Sequence, residues 1–211
     1  MKSEGILPKV RTLLAAATYE PQGGLPATAP NWRNPRILDP DVLAAKQADM
    51  HEVRGSLRIA RLGERLNGFV QGGFVVADPW DPDLDDLIER GVAMLGPVAM
   101  FPGPMDRYCH WNSAFLTWAA DGALRLATGY ALSPNGLWVS HSWLVGPGGT
   151  DGVAAIVETT SRRLAYVGIV LDPTEAADRW DNVRASEFTE GELIAAGFSP
   201  SEVQDIVGGS A

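Results

Sequence analysis

The runs YCHWNSAFLTWA (residues 108–119), LRLATGYALSPNGLWVSHSWLV (124–145) and VAAIVETTSRRLAYVGIV (153–170) decide the fold of this chain. The first run is apolar and follows a loop with Pro104 and Asp106, so it predicts a helix with Cys109 in its first turn. The other two are rich in β-branched and aromatic residues, a pattern typical of strands. We predict four strands, at 124–132, 137–145, 153–160 and 164–171. The turn-forming segments between them favour an antiparallel meander.

The flanking segments carry weaker patterns. Residues 1–40 hold six prolines and few aliphatic residues after Leu14, so we expect an extended arm followed by a helix that begins near Asp39. Residues 41–211 then form a single domain with its core at about 98–171. Apolar periodicity predicts strands at 57–62 and 68–77 and a helix at 83–94. Capping-type sequences at Thr189 and Ser199, after a helix near 173–182, predict short helices in the tail.

Composition narrows the classes of partner. The chain has 211 residues, a formal net charge of −9 and a single cysteine. Nucleic acid is an unfavourable partner for a surface of this charge, because phosphate binding needs a basic patch. No run of about 18 apolar residues predicts a membrane span. One cysteine cannot form an internal disulfide, which favours a cytoplasmic location, and we expect a small-molecule, peptide or protein amide as substrate.

Cys109 is the candidate nucleophile. A helix N-terminus or a neighbouring imidazolium lowers the pKa of a thiol enough to populate the thiolate at neutral pH. The alternative is a buried packing residue, since Trp111, Phe115 and Trp118 follow at short spacing and free cysteine is among the most buried residue types. A partner imidazole and carboxylate would favour the catalytic interpretation.

His141 and Glu158 are the candidates for those two partners. The pleat of the predicted strand 137–145 puts His141 on the same face as Trp143, among apolar neighbours. Glu158 lies on the next predicted strand, and antiparallel pairing across a glycine-rich turn brings the two side chains within reach. The alternatives are a core histidine with satisfied nitrogens and an edge glutamate that faces water. Sequence alone does not fix the register between them.

Several residues are candidates for supporting roles. An oxyanion hole needs donors near the nucleophile, and the Cys109 N–H, Asn112 at i+3 and Gln71 are the candidates. Substrate contacts are predicted for the strand residues Trp143, Tyr130 and Tyr166. We do not make His110 the base, because side chains at i and i+1 of a helix diverge.

Metal and nucleotide chemistry are less favoured. The cysteine and the three histidines lack the paired spacing of zinc sites. The glycine-rich segment 146–149 follows a strand but opens no helix and carries no P-loop lysine, so a turn is the better interpretation. The sequence therefore predicts no metal and no other cofactor.

The order of these motifs resembles the transglutaminase-like branch of the papain-like superfamily. The residues that carry the resemblance are Cys109 on a helix, His141-Ser142-Trp143 on a strand and Glu158-Thr159-Thr160 on the next, over about residues 98–171. Glu158 stands where that branch usually has aspartate, and Thr159 where it has proline. The resemblance implies that Cys109 is the nucleophile, His141 the base and then the acid, and Glu158 the group that orients the imidazole.

We therefore expect an α+β fold with a papain-like or transglutaminase-like core, in which the Cys109 helix packs on an antiparallel sheet of four or more strands. The expected activity is cysteine-dependent acyl chemistry on an amide or peptide-like substrate, either hydrolysis or transfer. The alternative is a non-catalytic member of the same fold that binds a partner.

Overall fold

The computed structural model describes residues 19–20, 57–70, 73–77, 81, 83–94, 98–101, 103–146, 155–184 and 188–208. These residues form an α+β architecture with one mixed sheet. The elements in chain order are β1 (Tyr19–Glu20), α1 (Leu57–Phe69), β2 (Phe74–Val76), α2 (Leu84–Arg90), β3 (Val92–Met94), β4 (Val98–Met100), α3 (Cys109–Ala119), β5 (Arg125–Leu132), β6 (Leu137–Val145), β7 (Ile156–Glu158), β8 (Ala165–Val170), α4 (Pro173–Arg184), α5 (Glu190–Ala195) and α6 (Pro200–Val207).

The sheet has the strand order β1-β4-β7-β6-β5-β8-β3, with β2 beside β6. β4 pairs with β7 and β2 with β6 in parallel, whereas the other pairs are antiparallel. The expected all-antiparallel sheet is therefore wrong. The meander is wrong as well, because β8 lies beside β5 rather than β7. One edge of β6 is occupied by β2 and β7, and β5 offers the free edge on which β8 pairs.

Other departures from the sequence prediction lie before residue 98. The predicted strand at 57–62 is the first half of α1, in which the buried residues Ile59, Leu62 and Leu66 recur at helical spacing. Six residues of alternation were too few to distinguish the two periods. Among the described residues of the strand predicted at 68–77, β2 is the part that forms a strand. The predicted helix at 83–94 ends at Arg90, and residues 92–94 pair with β8 as β3.

The C-terminal tail forms the short helices that its capping sequences predict. Thr189 and Ser199 each accept a hydrogen bond from the backbone N–H three residues later, and the glutamate at that position binds back to the cap residue. Both predicted capping boxes are confirmed. The predicted arm 1–40 and the helix near Asp39 lie outside the described residues, apart from β1, which pairs with β4.

The sheet is buried on both faces around β5 and β6. One face packs against α3 and α4 through a large cluster that includes Leu126, Tyr130 and Trp138. The other face carries a smaller cluster with Trp143 and Tyr166. Trp138 is fully buried, so it does not line a surface groove. This double burial places His141, on the Trp143 face of β6, in a dry environment.

Two paired glycines lie beside the rings of that second face, and one of them makes room for Trp143. Gly129 pairs with Gly168 across β5 and β8, and it pairs with His141 across β5 and β6. A Cβ added to Gly168 would lie 2.6 Å from Cη2 of Trp143 and would also meet the backbone oxygen of Thr128. A side chain at this position would therefore push against both a large ring and the backbone.

We predict that Gly168→Ala lowers the free energy of unfolding by about 1–3 kcal/mol, the usual cost of overpacking a core. Urea denaturation followed by circular dichroism measures it. The matched control is Gly191→Ala in α5, where an added Cβ meets nothing within 4 Å. We expect the control to leave stability unchanged or to raise it by about 0.5–1 kcal/mol. Equal losses in the two variants would contradict the packing role of Gly168.

Candidate active site

Cys109 is the first residue of α3, as its sequence context predicts. Its side chain is partly exposed, so it is not the walled-in packing residue of the alternative interpretation. The preceding loop contains Arg107 with φ +68°, a left-handed conformation that is uncommon for a residue with a side chain. Because α3 begins at Cys109, the sulfur lies at a helix start, where the partial positive charge of the first turn favours an anion.

His141 and Glu158 form a buried hydrogen-bonded pair. Nε2 of His141 lies 2.8 Å from Oε2 of Glu158, and both residues are wholly inaccessible to solvent. The antiparallel pairing of β6 with β7 that the sequence predicted is confirmed, with Leu144 opposite Val157. A carboxylate and an imidazole that are removed from water together stabilise each other in their charged forms.

The Glu158 carboxylate is saturated with donors. The Tyr166 hydroxyl donates to Oε2 at 2.9 Å, and the backbone N–H and hydroxyl of Thr160 donate to Oε1 at 2.9 and 3.0 Å. Burial raises the pKa of Glu158, but the His141 hydrogen bond and charge and the other donors outweigh it and lower the pKa. Burial and the Glu158 charge together raise the pKa of Tyr166, so its hydroxyl keeps its proton.

The second nitrogen of His141 is left without a hydrogen bond. Nδ1 is buried and has no hydrogen-bond partner among the described residues, while Nε2 is bound to Glu158. Burial lowers the pKa of His141, but hydrogen bonding and charge from Cys109 and Glu158 raise it to about 9. Because Nε2 is already bound to Glu158, only Nδ1 is left to interact with Cys109. The structure thus brings all three predicted catalytic residues into one cluster.

The pKa of the Cys109 thiol is shifted in the opposite direction, downward. Burial raises the pKa of Cys109, but hydrogen bonding and charge from His110 and His141 lower it from 9.0 to about 5. The opposite shifts of the two pKa values favour a thiolate on Cys109 and an imidazolium on His141 at neutral pH. The two groups titrate as a coupled pair, since each stabilises the charge of the other.

His110 lies closer to the site than the helical wheel suggested. Its Nδ1 is 2.7 Å from Oγ of Ser142, and its ring interacts with the Cys109 sulfur. Ser142 in turn donates to Oγ1 of Thr128 at 3.3 Å, and its carbonyl accepts from the Ser113 hydroxyl. Sequence reasoning set His110 aside because neighbouring helix residues diverge. The adjacent pair Cys109-His110 facing the adjacent pair His141-Ser142 was the signal that could have found it.

Asn112 and Gln71 are the side chains predicted to donate to an oxyanion. Asn112 is fully buried, accepts from the Met105 N–H at 3.0 Å and donates to the Met105 carbonyl at 2.6 Å. Its amide is committed to bracing the loop, so the structure does not present it as an oxyanion donor. Gln71 lies outside the described residues.

The three aromatic residues predicted to contact a substrate lie in different environments. Tyr166 is brought to the site through its bond to Glu158. Trp143 is fully buried, stacks on His141 with ring centroids 6.2 Å apart, and donates to the Met94 sulfur, so it supports the imidazole rather than meeting a substrate. Tyr130 points to the opposite face of the sheet, where its hydroxyl donates to Asp81 at 3.5 Å. It is not brought to the cluster, because successive strand residues alternate between faces.

Other features of the described part of the chain lie apart from this cluster. A cavity of about 790 Å³ lies at the opposite end of α3, lined by Thr117 and Trp118 together with residues of α4 and α6, and none of the three predicted catalytic residues borders it. Among the described residues, no three His, Cys, Asp or Glu side chains are grouped as ligands for a metal ion. In the same ranges, no helix is long and apolar enough to cross a bilayer.

Comparison with models of known protein families, with curated proteins and with solved structures finds no match for this chain.

We predict that the alkylation of Cys109 by iodoacetamide stays fast across neutral pH and falls as the pH drops through about 5. The thiolate is the reacting form, and a pKa lowered from 9.0 to about 5 keeps it populated down to that value. The measurement is the alkylation rate against pH, followed by intact-mass spectrometry. A rate that falls away below about pH 8, as for an ordinary thiol, would contradict the ion pair.

Removing the Glu158 carboxylate is expected to raise the apparent pKa of Cys109. In Glu158→Gln the imidazolium of His141 loses its buried counter-charge, so we expect the apparent pKa of Cys109 to rise by about one unit or more towards the ordinary value of about 8.5. The readout is again alkylation against pH. The control is Glu192→Gln, which removes a fully exposed capping carboxylate from α5 and is expected to leave the Cys109 titration in place. An unchanged titration in Glu158→Gln would show that His141 does not depend on this partner.

Proposed function

We propose that this chain is a cysteine-dependent enzyme of acyl chemistry, a hydrolase or acyl transferase that acts on an amide or peptide-like substrate. The observation that carries the proposal is the buried hydrogen bond between His141 and a carboxylate with four donors, next to a partly exposed thiol whose pKa His141 lowers. Such an arrangement prepares a thiolate nucleophile and a proton donor in one place.

In the first half of the proposed reaction the Cys109 thiolate attacks the acyl carbon. The C–S bond forms as the carbonyl π electrons move to oxygen. When the tetrahedral intermediate collapses, the C–N bond breaks and Nδ1 of His141 gives its proton to the departing amine. The products of this half are a free amine, an acyl-thioester on Cys109 and a neutral His141. In the second half water or an amine attacks the thioester, its proton goes to the neutral His141, the C–S bond breaks, and the thiolate and the imidazolium are restored.

The role of Glu158 in this scheme is to orient and charge the imidazole. Its bond to Nε2 directs Nδ1 at the sulfur and stabilises the positive ring that the first half consumes. The hydroxyl of Tyr166 and the two donors of Thr160 hold the carboxylate in its ionised, acceptor-only form. The stacked ring of Trp143 limits rotation of His141 and keeps water away from the pair.

The start of α3 supplies one stabiliser for the tetrahedral intermediate. Cys109 is the first helical residue, so its backbone N–H has no carbonyl four residues earlier within the helix. An N–H at this position, with the dipole of the first turn behind it, stabilises a developing oxyanion next to the sulfur. Asn112 is committed elsewhere, so the proposal assigns it to the loop rather than to the oxyanion.

We extend the proposal to the type of core. Helix α3 with Cys109, strand β6 with His141 and the adjacent strand β7 with Glu158 follow the order expected of a transglutaminase-like core over about residues 98–171. Glutamate is one methylene longer than the usual aspartate, and here it reaches Nε2 at 2.8 Å.

The test uses p-nitrophenyl acetate, an activated acyl donor whose nitrophenolate product is coloured. We expect an initial burst of about one nitrophenolate per chain and an acetyl group on Cys109, found by peptide mass spectrometry. Cys109→Ser is expected to abolish the burst. His141→Gln is expected to slow the acetylation at pH 7 by about 10²-fold or more, because the thiolate loses its imidazolium partner. Tyr130→Phe, on the other face of the sheet, serves as the control and should retain the burst.

Two outcomes would overturn the proposal. One is acetylation spread over lysines with Cys109 unmodified. The other is a Cys109 that reacts at the same rate with and without His141. Circular dichroism of each variant confirms that the fold is retained.

A further inference from the structure

Ser140 is the exposed residue of β6, the strand that carries His141. The strand has nine residues, and each of the others is buried or half-buried. The two neighbours that share the face of Ser140, Trp138 and Ser142, are almost wholly buried. Tyr130, which pairs with Ser140 from β5, is buried as well. The layer that covers this face of the sheet is therefore open above Ser140.

The opening lies next to the start of α3. Ser142 is two residues along β6 from Ser140, about 6.6 Å away, and points to the same face. Oγ of Ser142 lies 2.7 Å from Nδ1 of His110, and the Ser142 carbonyl accepts from the Ser113 hydroxyl. His110 and the residue before it, Cys109, are both partly exposed. The exposed position of β6 and the accessible first turn of α3 therefore border the same opening.

The groups that border this opening are polar. Ser140 carries an exposed hydroxyl, and the imidazole of His110 and the hydroxyl of Ser142 lie beside it. A hydroxyl that loses its water when a ligand covers it needs a new hydrogen-bond partner, because a buried polar group without one is costly. A peptide amide supplies that partner, since it has both a donor and an acceptor, whereas an alkyl chain has neither. The opening therefore favours a peptide-like chain over an alkyl chain of the same length.

The proposed reaction decides which part of the substrate lies at this opening. The departing amine takes its proton from His141. The side chains of His141 and Ser140 are consecutive on β6 and point to opposite faces of the sheet. The acyl group is bonded to the attacked carbon on the side away from the amine. With the amine directed towards His141, the acyl group extends over the face that carries Ser140.

We propose that Ser140 lines the subsite for the acyl group, and that this subsite takes a peptide-like acyl chain whose amide forms a hydrogen bond with the Ser140 hydroxyl. The inference rests on the proposed thiol chemistry and names the substrate class of the same site. Ser140 contacts the substrate away from the reacting bonds, so its role is to determine specificity.

Two esters of equal acyl chain length test the substrate class. One is p-nitrophenyl N-acetylglycinate, which carries an amide in its acyl chain, and the other is p-nitrophenyl pentanoate, which carries an alkyl chain. The burst rate with each ester is divided by the rate of the same ester with N-acetylcysteine, which corrects for intrinsic reactivity. We expect the wild type to favour the N-acetylglycyl ester by about 10-fold or more, the contribution of one hydrogen bond to an otherwise unpaired group.

Two variants at Ser140 test the hydroxyl. We expect Ser140→Ala to reduce the preference for the N-acetylglycyl ester to about 3-fold or less, because the amide loses its partner and the alkyl chain no longer covers a polar group. Ser140→Thr keeps a hydroxyl on the strand and is expected to keep the preference. The ratio of the two rates is the readout, since a general loss of structure would lower both rates and leave the ratio in place.

A larger side chain tests the opening itself. Ser140→Phe puts a residue of high β propensity at an exposed strand position, so we expect the fold to be retained. The ring is expected to fill the opening and slow the burst with both esters by about 10-fold or more, while the smaller iodoacetamide still alkylates Cys109 within about 3-fold of the wild-type rate. The matched control is Ser201→Phe, at an exposed position of α6, which is expected to change neither reaction.

The outcomes distinguish the two levels of the proposal. A burst without preference between the two esters, or a preference that Ser140→Ala leaves unchanged, overturns the role of Ser140 and leaves the thiol chemistry standing. Unchanged ester rates in Ser140→Phe overturn it as well. So does equal slowing of the esters and iodoacetamide in that variant, because the ring would then act on the thiolate itself. Absence of any burst in the wild type overturns the proposed function, and this inference with it.

Discussion

The buried hydrogen bond between His141 and Glu158 is the constraint on which the rest of the site depends. Two ionisable groups with no solvent access cost several kcal/mol each to desolvate unless they meet each other in good geometry. Tyr166 and Thr160 satisfy the remaining lone pairs of the carboxylate. The pair therefore fixes the relation of β6, β7 and β8, because each of these three strands or its end contributes a group to it.

That constraint explains features that look unrelated in the sequence. Gly129 and Gly168 pair beside His141 and Trp143, where an added Cβ would meet the Trp143 ring at Gly168 and the backbone of the neighbouring strand at Gly129. Trp143 covers the imidazole on the same face of β6. The sheet is dry on both sides here, and the dryness strengthens the charge interactions that separate the pKa values of Cys109 and His141.

Local signals made much of this predictable. The start of α3, the extent of β6 and the two tail caps depend on residues within a few positions of one another, and the sequence patterns located them. The pairing of β6 with β7 followed from a short glycine-rich connection. The position of β8 beside β5 depends on which edges other strands occupy, and a pattern within one segment does not contain that information. The approach of His110 to the sulfur was missed for the same reason, since it depends on where α3 meets β6.

The loop ahead of Cys109 is fastened to the strand end that carries the acid. The backbone N–H groups of Phe101 and Gly103 donate to the carbonyls of Glu158 and Thr159, both at 2.8 Å, and Asn112 clamps both polar groups of Met105. A displacement of β7, which carries Glu158, would therefore also displace the segment that leads into Cys109. The main chain thus holds the separation of Cys109 and Glu158, so a ligand bound at Cys109 would have to order little of this segment.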